Sequence, residues 1–138
     1  MAGYSGKPLV DKLGVRAGHR LALLDAPDGF TAELAPMPPD VELVGPRAAR
    51  TDVAILFVRE AARLERAFAP AAGRLAAGGM LWVAWPKKAA KQRTDLTEDV
   101  VRRIGLAAGL VDVKVCAVND VWSGLKFLRR VSRASEGP

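Results

Sequence analysis

Between Trp85 and Arg103 the chain reads WPKKAAKQRTDLTEDVVRR, and four cations, Lys87, Lys88, Lys91 and Arg93, precede a run with helix-start chemistry. Cationic side chains beside the free amides of a helix N-terminus suit anion capture, because those amides carry about half a positive charge. Asp95 complicates that use. As N-cap, with Glu98 at the third helical position of a capping box, its carboxylate would occupy the same amides. A bound anion would then rest on the lysines, Arg93 and the Thr94 hydroxyl. The same charges also suit a solvated loop, so the fold around them must decide.

Other residue types offer less. Asp25, Asp28 and Asp120 could gather as carboxylates, but turn chemistry accounts for each. Cys116, the only cysteine, lies in the apolar run VDVKVCAV and reads as a buried thiol. A lone cysteine allows neither an intramolecular disulfide nor a four-cysteine zinc site. His19 is the only histidine, which removes most histidine-based metal and acid–base sets, and no metal site is expected. GYSGKP is no phosphate loop, since Pro8 follows Lys7 where a Walker motif needs Ser or Thr.

Size and composition bound what can position these groups. The chain has 138 residues, 50% hydrophobic and 26% charged, enough for one domain with a core and no staples. Lys and Arg number 21 against 15 Asp and Glu, a net charge of +6 that favours anionic partners. MAGYSGKPLVDK lacks the apolar stretch of a signal peptide, and no run approaches the ~18 apolar residues of a membrane span. A cytoplasmic location without membrane contact is the expectation.

Hydrophobic patterning supplies the elements. PLVDKLGV forms a short helix with Leu9 and Leu13 on one face, stopped at Gly14. LALLD, VELVG and DVAILFV are short apolar runs bounded by turn residues, consistent with parallel strands buried on both faces. A weak helical turn near Thr31 to Leu34 separates the first two, and PMPPD forbids regular helix after it. Residues 60–77 place Leu64, Phe68, Ala71, Ala72 and Leu75 near helical spacing, with Pro70 starting a new turn or kinking the helix. MLWVAW is the fourth strand. Val100, Val101, Ile104, Ala107 and Ala108 line one face of the helix after the basic loop, which stops at Gly109. VDVKVCAV and LKFLRRV, joined by the turn NDVWSG, pair antiparallel, since the link is too short for a crossover.

With the strands placed, LAAGGMLWVAWPK resembles the helix, Gly-Gly turn and buried strand of Rossmann-like class I methyltransferases. GLVDVKVCAVNDVWSGLKFLRR resembles their closing antiparallel hairpin. The whole chain more closely resembles an uncharacterised bacterial family, numbered 3052 among domains of unknown function, through GYSGKPLVDKLGV, APDGF, LWVAWPKK, TDLTEDVVR, GLVDVKVCAV and WSGLKF. That second likeness implies no activity. The first implies S-adenosylmethionine as cofactor, yet Ala26, Pro27 and Asp28 stand where a cofactor-binding turn has glycines. The second strand ends in Val44 and Gly45 without the ribose-binding acid, and the third ends in VRE rather than an Asn-Pro-Pro-Tyr-like motif. No cofactor is therefore expected, with S-adenosylmethionine the alternative that these residues disfavour.

The fold expectation is one three-layer Rossmann-like α/β domain over residues 1–130, with a flexible tail over 131–138. It has about six strands, in a mostly parallel sheet with a C-terminal antiparallel hairpin. Such sheets bind ligands outside the carboxyl ends of their strands. Four loops fall there: Asp25 to Phe30, Val58 to Glu60, Trp85 to Thr94 and Asn119 to Gly124. The candidate cleft residues are Asp25, Asp28, Gly29, Arg59, Trp85, Lys87, Lys88, Lys91, Arg93, Thr94, Asn119, Trp122 and Ser123, with Tyr4, Ser5 and Lys7 able to approach from the first helix. The expected function is non-catalytic binding of an anionic small molecule or a partner at this edge. A divergent S-adenosylmethionine-dependent methyltransferase is the alternative. Nucleic-acid binding through 87–93 and the Arg102–Arg103 pair is a third.

Overall fold

The computed structural model describes residues 7–129; Tyr4, Ser5 and the expected tail over 131–138 lie outside the described residues. Three apolar runs form parallel strands: β1 (Arg20–Leu24), β2 (Glu42–Val44) and β3 (Thr51–Phe57). β1 sits between the other two, with Leu21 in register with Leu43 on one side and Val53 on the other. β4 (Leu75–Pro86) continues the parallel sheet beside β3, and the hairpin β5 (Leu110–Ala117) and β6 (Trp122–Arg129) completes it. The order is β2-β1-β3-β4-β6-β5. β6 alone is antiparallel to its neighbours, so β5 again runs with β4. The chain steps outward from β1 to β2 and returns across it to β3, which puts the switch in strand order between β1 and β3.

Helices cover both faces, which is why β3 is buried almost throughout rather than alternating. On one face α3 (Ala61–Gly73) and α4 (Glu98–Ala107) pack Leu64, Phe68 and Val101 onto Leu56, Leu81, Val83, Leu125 and Phe127. On the other, α1 (Leu9–Lys12) and α2 (Phe30–Glu33) place Val10, Leu13 and Phe30 over Ile55, Phe57 and Trp82. Burying side chains of this size contributes roughly 1.5–3 kcal/mol each. The buried Trp82 indole donates Nε1–H to the Leu13 carbonyl at 2.8 Å, satisfying an acceptor left over at the end of α1.

Three expectations shift. Val10 and Leu13, not Leu9, are the buried residues of the first helical turn. α3 runs through Pro70 to Gly73 as one helix, with Pro70 exposed, instead of beginning a new turn there. β6 begins at Trp122, three residues before LKFLRRV, because β4 extends to Pro86 and offers pairing partners for Trp122 and Ser123.

Two glycines are required by close approach. A Cβ at Gly79 would lie 2.8 Å from the Thr51 carbonyl oxygen, where β4 enters the sheet through a register shift. A Cβ at Gly105 would lie 2.1 Å from the Phe127 ring, so Gly105 lets α4 settle on β6.

Candidate ligand cleft at the carboxyl edge

The loops after β3 and β4 are tied to each other. Thr94 Oγ1 donates to the Arg59 carbonyl at 2.6 Å and accepts from the Leu96 amide at 3.0 Å. Arg59 Nε donates to Gln92 Oε1 at 3.1 Å, and its guanidinium lies 4.9 Å above the Trp122 ring. The Asp95 carboxylate accepts from the Ala61 amide at 2.8 Å, so it satisfies the first turn of α3. This corrects the expected capping box: the N-cap of α4 is Thr97, whose hydroxyl accepts from the Val100 amide at 3.2 Å. Asp95 lies too far upstream because the helix starts only at Glu98, after a stretch over 92–97 that is neither helix nor strand.

A cleft of about 360 Å³ opens at the ends of β4 and β5. Lys7 and Lys12 enter it from the α1 side, Glu33 from α2, Lys87 from the end of β4, and Asn119 and Asp120 from the β5–β6 turn, over the apolar Leu9 and Val118. Asn119 organises one wall. Its Oδ1 accepts from the Val121 and Trp122 amides, both at 2.9 Å, while Nδ2 donates to Glu33 Oε1 at 2.9 Å. The Lys87 amide donates to the Val121 carbonyl at 2.7 Å, fixing the lysine's backbone against the same turn. Three lysines and two acids thus line the cleft, and the Glu33 carboxylate is already hydrogen-bonded to the Asn119 amide.

Of the candidates read from sequence, the cleft gathers Lys87 and Asn119, together with Lys7. Lys88, Lys91 and Arg93 are exposed and do not line this cleft, and among the described residues none of them has an ion-pair partner. Trp85 is buried toward α3 and α4, and Trp122 is buried against Phe57 edge-to-face at 5.1 Å, so both are core. Ser123 is half-buried in the ladder opposite Trp85 and Ala117. Arg59 and Thr94 serve the tie between loops. Asp28 and Gly29 are exposed in the turn before α2, with Gly29 at φ 83°. Asp25 pairs with Arg63 of α3, and this hydrogen bond and the attraction of the carboxylate raise the guanidinium above its ordinary value. Lys12, Glu33 and Asp120 were not singled out as cleft residues, and Glu33 meets Asn119 across 86 positions of sequence.

The architecture matches solved methyltransferases. A precorrin-6y C5,15-methyltransferase from Geobacter metallireducens superposes with TM-score 0.60 at 12% identity, over 88% of this chain and 86% of that one. A Synechocystis magnesium protoporphyrin IX methyltransferase, with bound SAM, gives TM-score 0.55 at 12% identity, over 88% and 74%. A Bordetella parapertussis protein described as a possible exported protein gives 0.65 at 14%, and this chain spans 66% of its length. The chain has a methyltransferase-like fold. No family model matches the sequence, and no curated protein matches it either.

The turn after β1 departs from the glycine-rich pattern of a nucleotide-binding turn. In the turn after β1, Pro27 has no amide to donate, and the four-residue α2 offers no long helix behind it. Asp25 is engaged by Arg63, and β2 ends in Val44 followed by Gly45 and Pro46, with no acid. Among the described residues, no three His, Cys, Asp or Glu side chains gather to hold a metal ion. No helix of the described residues is long and apolar enough to cross a membrane.

Proposed function

We propose that this domain is a non-catalytic, methyltransferase-like module of the uncharacterised bacterial family that its motifs resemble, and that it binds an anionic small molecule at the carboxyl edge. The cleft where Lys7, Lys12 and Lys87 meet the Asn119–Glu33 pair carries this reading. It lies on the edge where open α/β sheets bind ligands, displaced from the β1–β3 switch toward β4 and β5. The ammonium groups supply charge, and the asparagine turn supplies a fixed polar wall.

Thermal denaturation against a panel of nucleotides, phosphorylated sugars and dicarboxylates tests it. A ligand at one hundred times its Kd adds about 2.7 kcal/mol to stability. The expected result is an upward shift with at least one anion that is lost in Lys87→Gln. A flat panel would sink the reading.

S-adenosylmethionine binding is the second reading, favoured by the fold shared with a methyltransferase solved with bound SAM. Isothermal titration separates the two readings. Heat at sub-millimolar S-adenosylmethionine would favour the methyltransferase alternative despite the β1 turn.

A further inference from the structure

Large apolar side chains left exposed gather at one edge of the sheet. Among the described residues they are Leu43, Leu106, Val113 and Val115. Val113 and Val115 lie on β5, which has β6 as its one neighbour and is therefore an edge strand. Leu106 joins them from α4. It stands one turn beyond Arg102, whose guanidinium holds Asp112 of β5, so it lies on the β5 side of the helix. Leu43 sits on the opposite edge, where β2 has three residues to offer a partner against the eight of β5.

The register of β5 shows which of its groups face outward. The Val118 amide donates to the Trp122 carbonyl at 2.9 Å, and the pairs Ala117–Ser123, Cys116–Gly124 and Val115–Leu125 follow back along the strand. Backbone bonds in an antiparallel pair serve every second residue. Val118, Cys116 and Lys114 therefore bond to β6, while the amides and carbonyls of Val115 and Ala117 point away from the sheet. Side chains alternate in step. Val115 lies beside Leu125, and Ala117 beside Ser123, which pairs onward with Trp85, so both face the side that α3 and α4 cover. Val113 joins them, because the register shift between Asp112 and Lys114 lets two successive residues face one side. Lys114 and Cys116 face the other side, in line with Lys126 and Trp82 and with Gly124 and Ala84.

The outer rim of β5 on the helix-covered side is thus Val113, Val115 and Ala117, all exposed, with outward backbone groups among them. Apolar edges of this kind are templates for another strand. Two copies related by a two-fold axis perpendicular to the sheet join such edges antiparallel and keep each face on its own side. Two registers bring the apolar residues together. Centred on Lys114, the join sets two lysines directly opposite each other, which is destabilising. Centred on Val115, it sets Val115 against the partner's Val115 and Val113 against the partner's Ala117, while Lys114 meets the partner's Cys116. Each exposed apolar residue of the rim then meets another, and Val115, whose amide and carbonyl point outward, exchanges both bonds with its image. A strand of unrelated sequence would require no such match of this stretch with itself.

We propose that β5 is a self-association edge, on which a second copy of this chain pairs antiparallel about Val115 and joins the two sheets into one. The register shift at Asp112 and the charge of Lys114 are devices that restrict edge pairing, and here they leave one register open. Ala117 also lines the ligand cleft, so the partner's strand borders each cleft, although the pairing does not depend on a ligand being bound there.

Sedimentation equilibrium of the full chain, from micromolar to near-millimolar protein, tests the proposal. Wild-type mass is expected to rise from monomer to dimer with concentration. Val115→Lys and Val115→Glu each set like charges opposite each other at the axis, so each alone is expected to stay monomeric with an unchanged circular dichroism spectrum. Residue 115 faces itself in this register, so mixing the two variants is expected to restore the dimer. A gentler change covers the case of a misfolded charge variant. Val115→Cys in a Cys116→Ser background is expected to be joined to its image by a short bis-maleimide, whereas Leu43→Cys in the same background is not. The proposal is overturned by wild-type protein that stays monomeric throughout, by a dimer in either charged variant alone, by a folded Lys–Glu mixture that stays monomeric, or by equal crosslinking at positions 43 and 115.

Discussion

Trp82→Phe probes how α1, which supplies Lys12 to the cleft, is held on the sheet. The substitution keeps an aromatic ring but deletes the Nε1–H that donates to the Leu13 carbonyl at 2.8 Å. Leu13 and Trp82 are both fully buried, so water cannot replace the donor without entering the core. Leaving a buried acceptor unsatisfied costs about 1–3 kcal/mol. The volume lost on replacing an indole with a phenyl adds about 1 kcal/mol of packing loss. The expected total is about 2–4 kcal/mol, within the ~5–15 kcal/mol by which such domains are stable, so the variant folds. At a urea dependence of about 2 kcal/mol per molar, the midpoint falls by about 1–2 M. Far-UV circular dichroism measures this without relying on the altered fluorophore. Hydrogen exchange then locates the damage: the amides of Leu13 and Val15, which bond to Leu9 and Val10, should accelerate more than those of Ile55 and Leu56. An unchanged midpoint, or acceleration spread evenly over the sheet, would refute the role given to this hydrogen bond.

Two further outcomes follow from the caps and charges. Asp95→Ala should cost about 1 kcal/mol and speed exchange at the start of α3, whereas Thr97→Ala should cost a similar amount and act on the start of α4. The reverse pattern would restore the capping box expected from sequence. Asp112 accepts from Arg102 at 2.8 Å, which holds its carboxyl below the ordinary range. A depressed acid stabilises the fold above its unfolded value near 3.9 and loses that contribution as pH falls through the lower folded value. The stability gap between wild type and Asp112→Asn should therefore be present at neutral pH and close below about pH 4, as followed by urea titration across pH.

The architecture was legible because strand runs such as DVAILFV and MLWVAW are too apolar for a half-exposed sheet, and because NDVWSG is too short to cross over. The helix cap was not legible, since TDLTED contains two competent starts and the choice falls to the Ala61 amide, which draws Asp95 away. Trp122 looked like turn chemistry until the length of β4 drew it into the ladder. The cleft was only partly readable for a related reason. Loop position pointed to Lys87 and Asn119, but Glu33 arrives only when strand order lays the β5–β6 turn beside α2. The facing of Lys114 and Lys126 depends on a register shift between Asp112 and Lys114, which no local pattern announces.

The contacts joining the loops after β3 and β4 have a consequence for motion and for change over generations. Arg59, Gln92, Thr94, Asp95 and Ala61 link segments more than thirty positions apart, so neither loop can lift alone without breaking bonds made to the other. Local opening there is one cooperative event, and the exchange rates of the Ala61 and Leu96 amides should rise and fall together. An insertion in either loop would strain its counterpart, so lengths at this part of the edge are expected to change in pairs, leaving the β5–β6 turn as the place where new specificity can be tried one residue at a time.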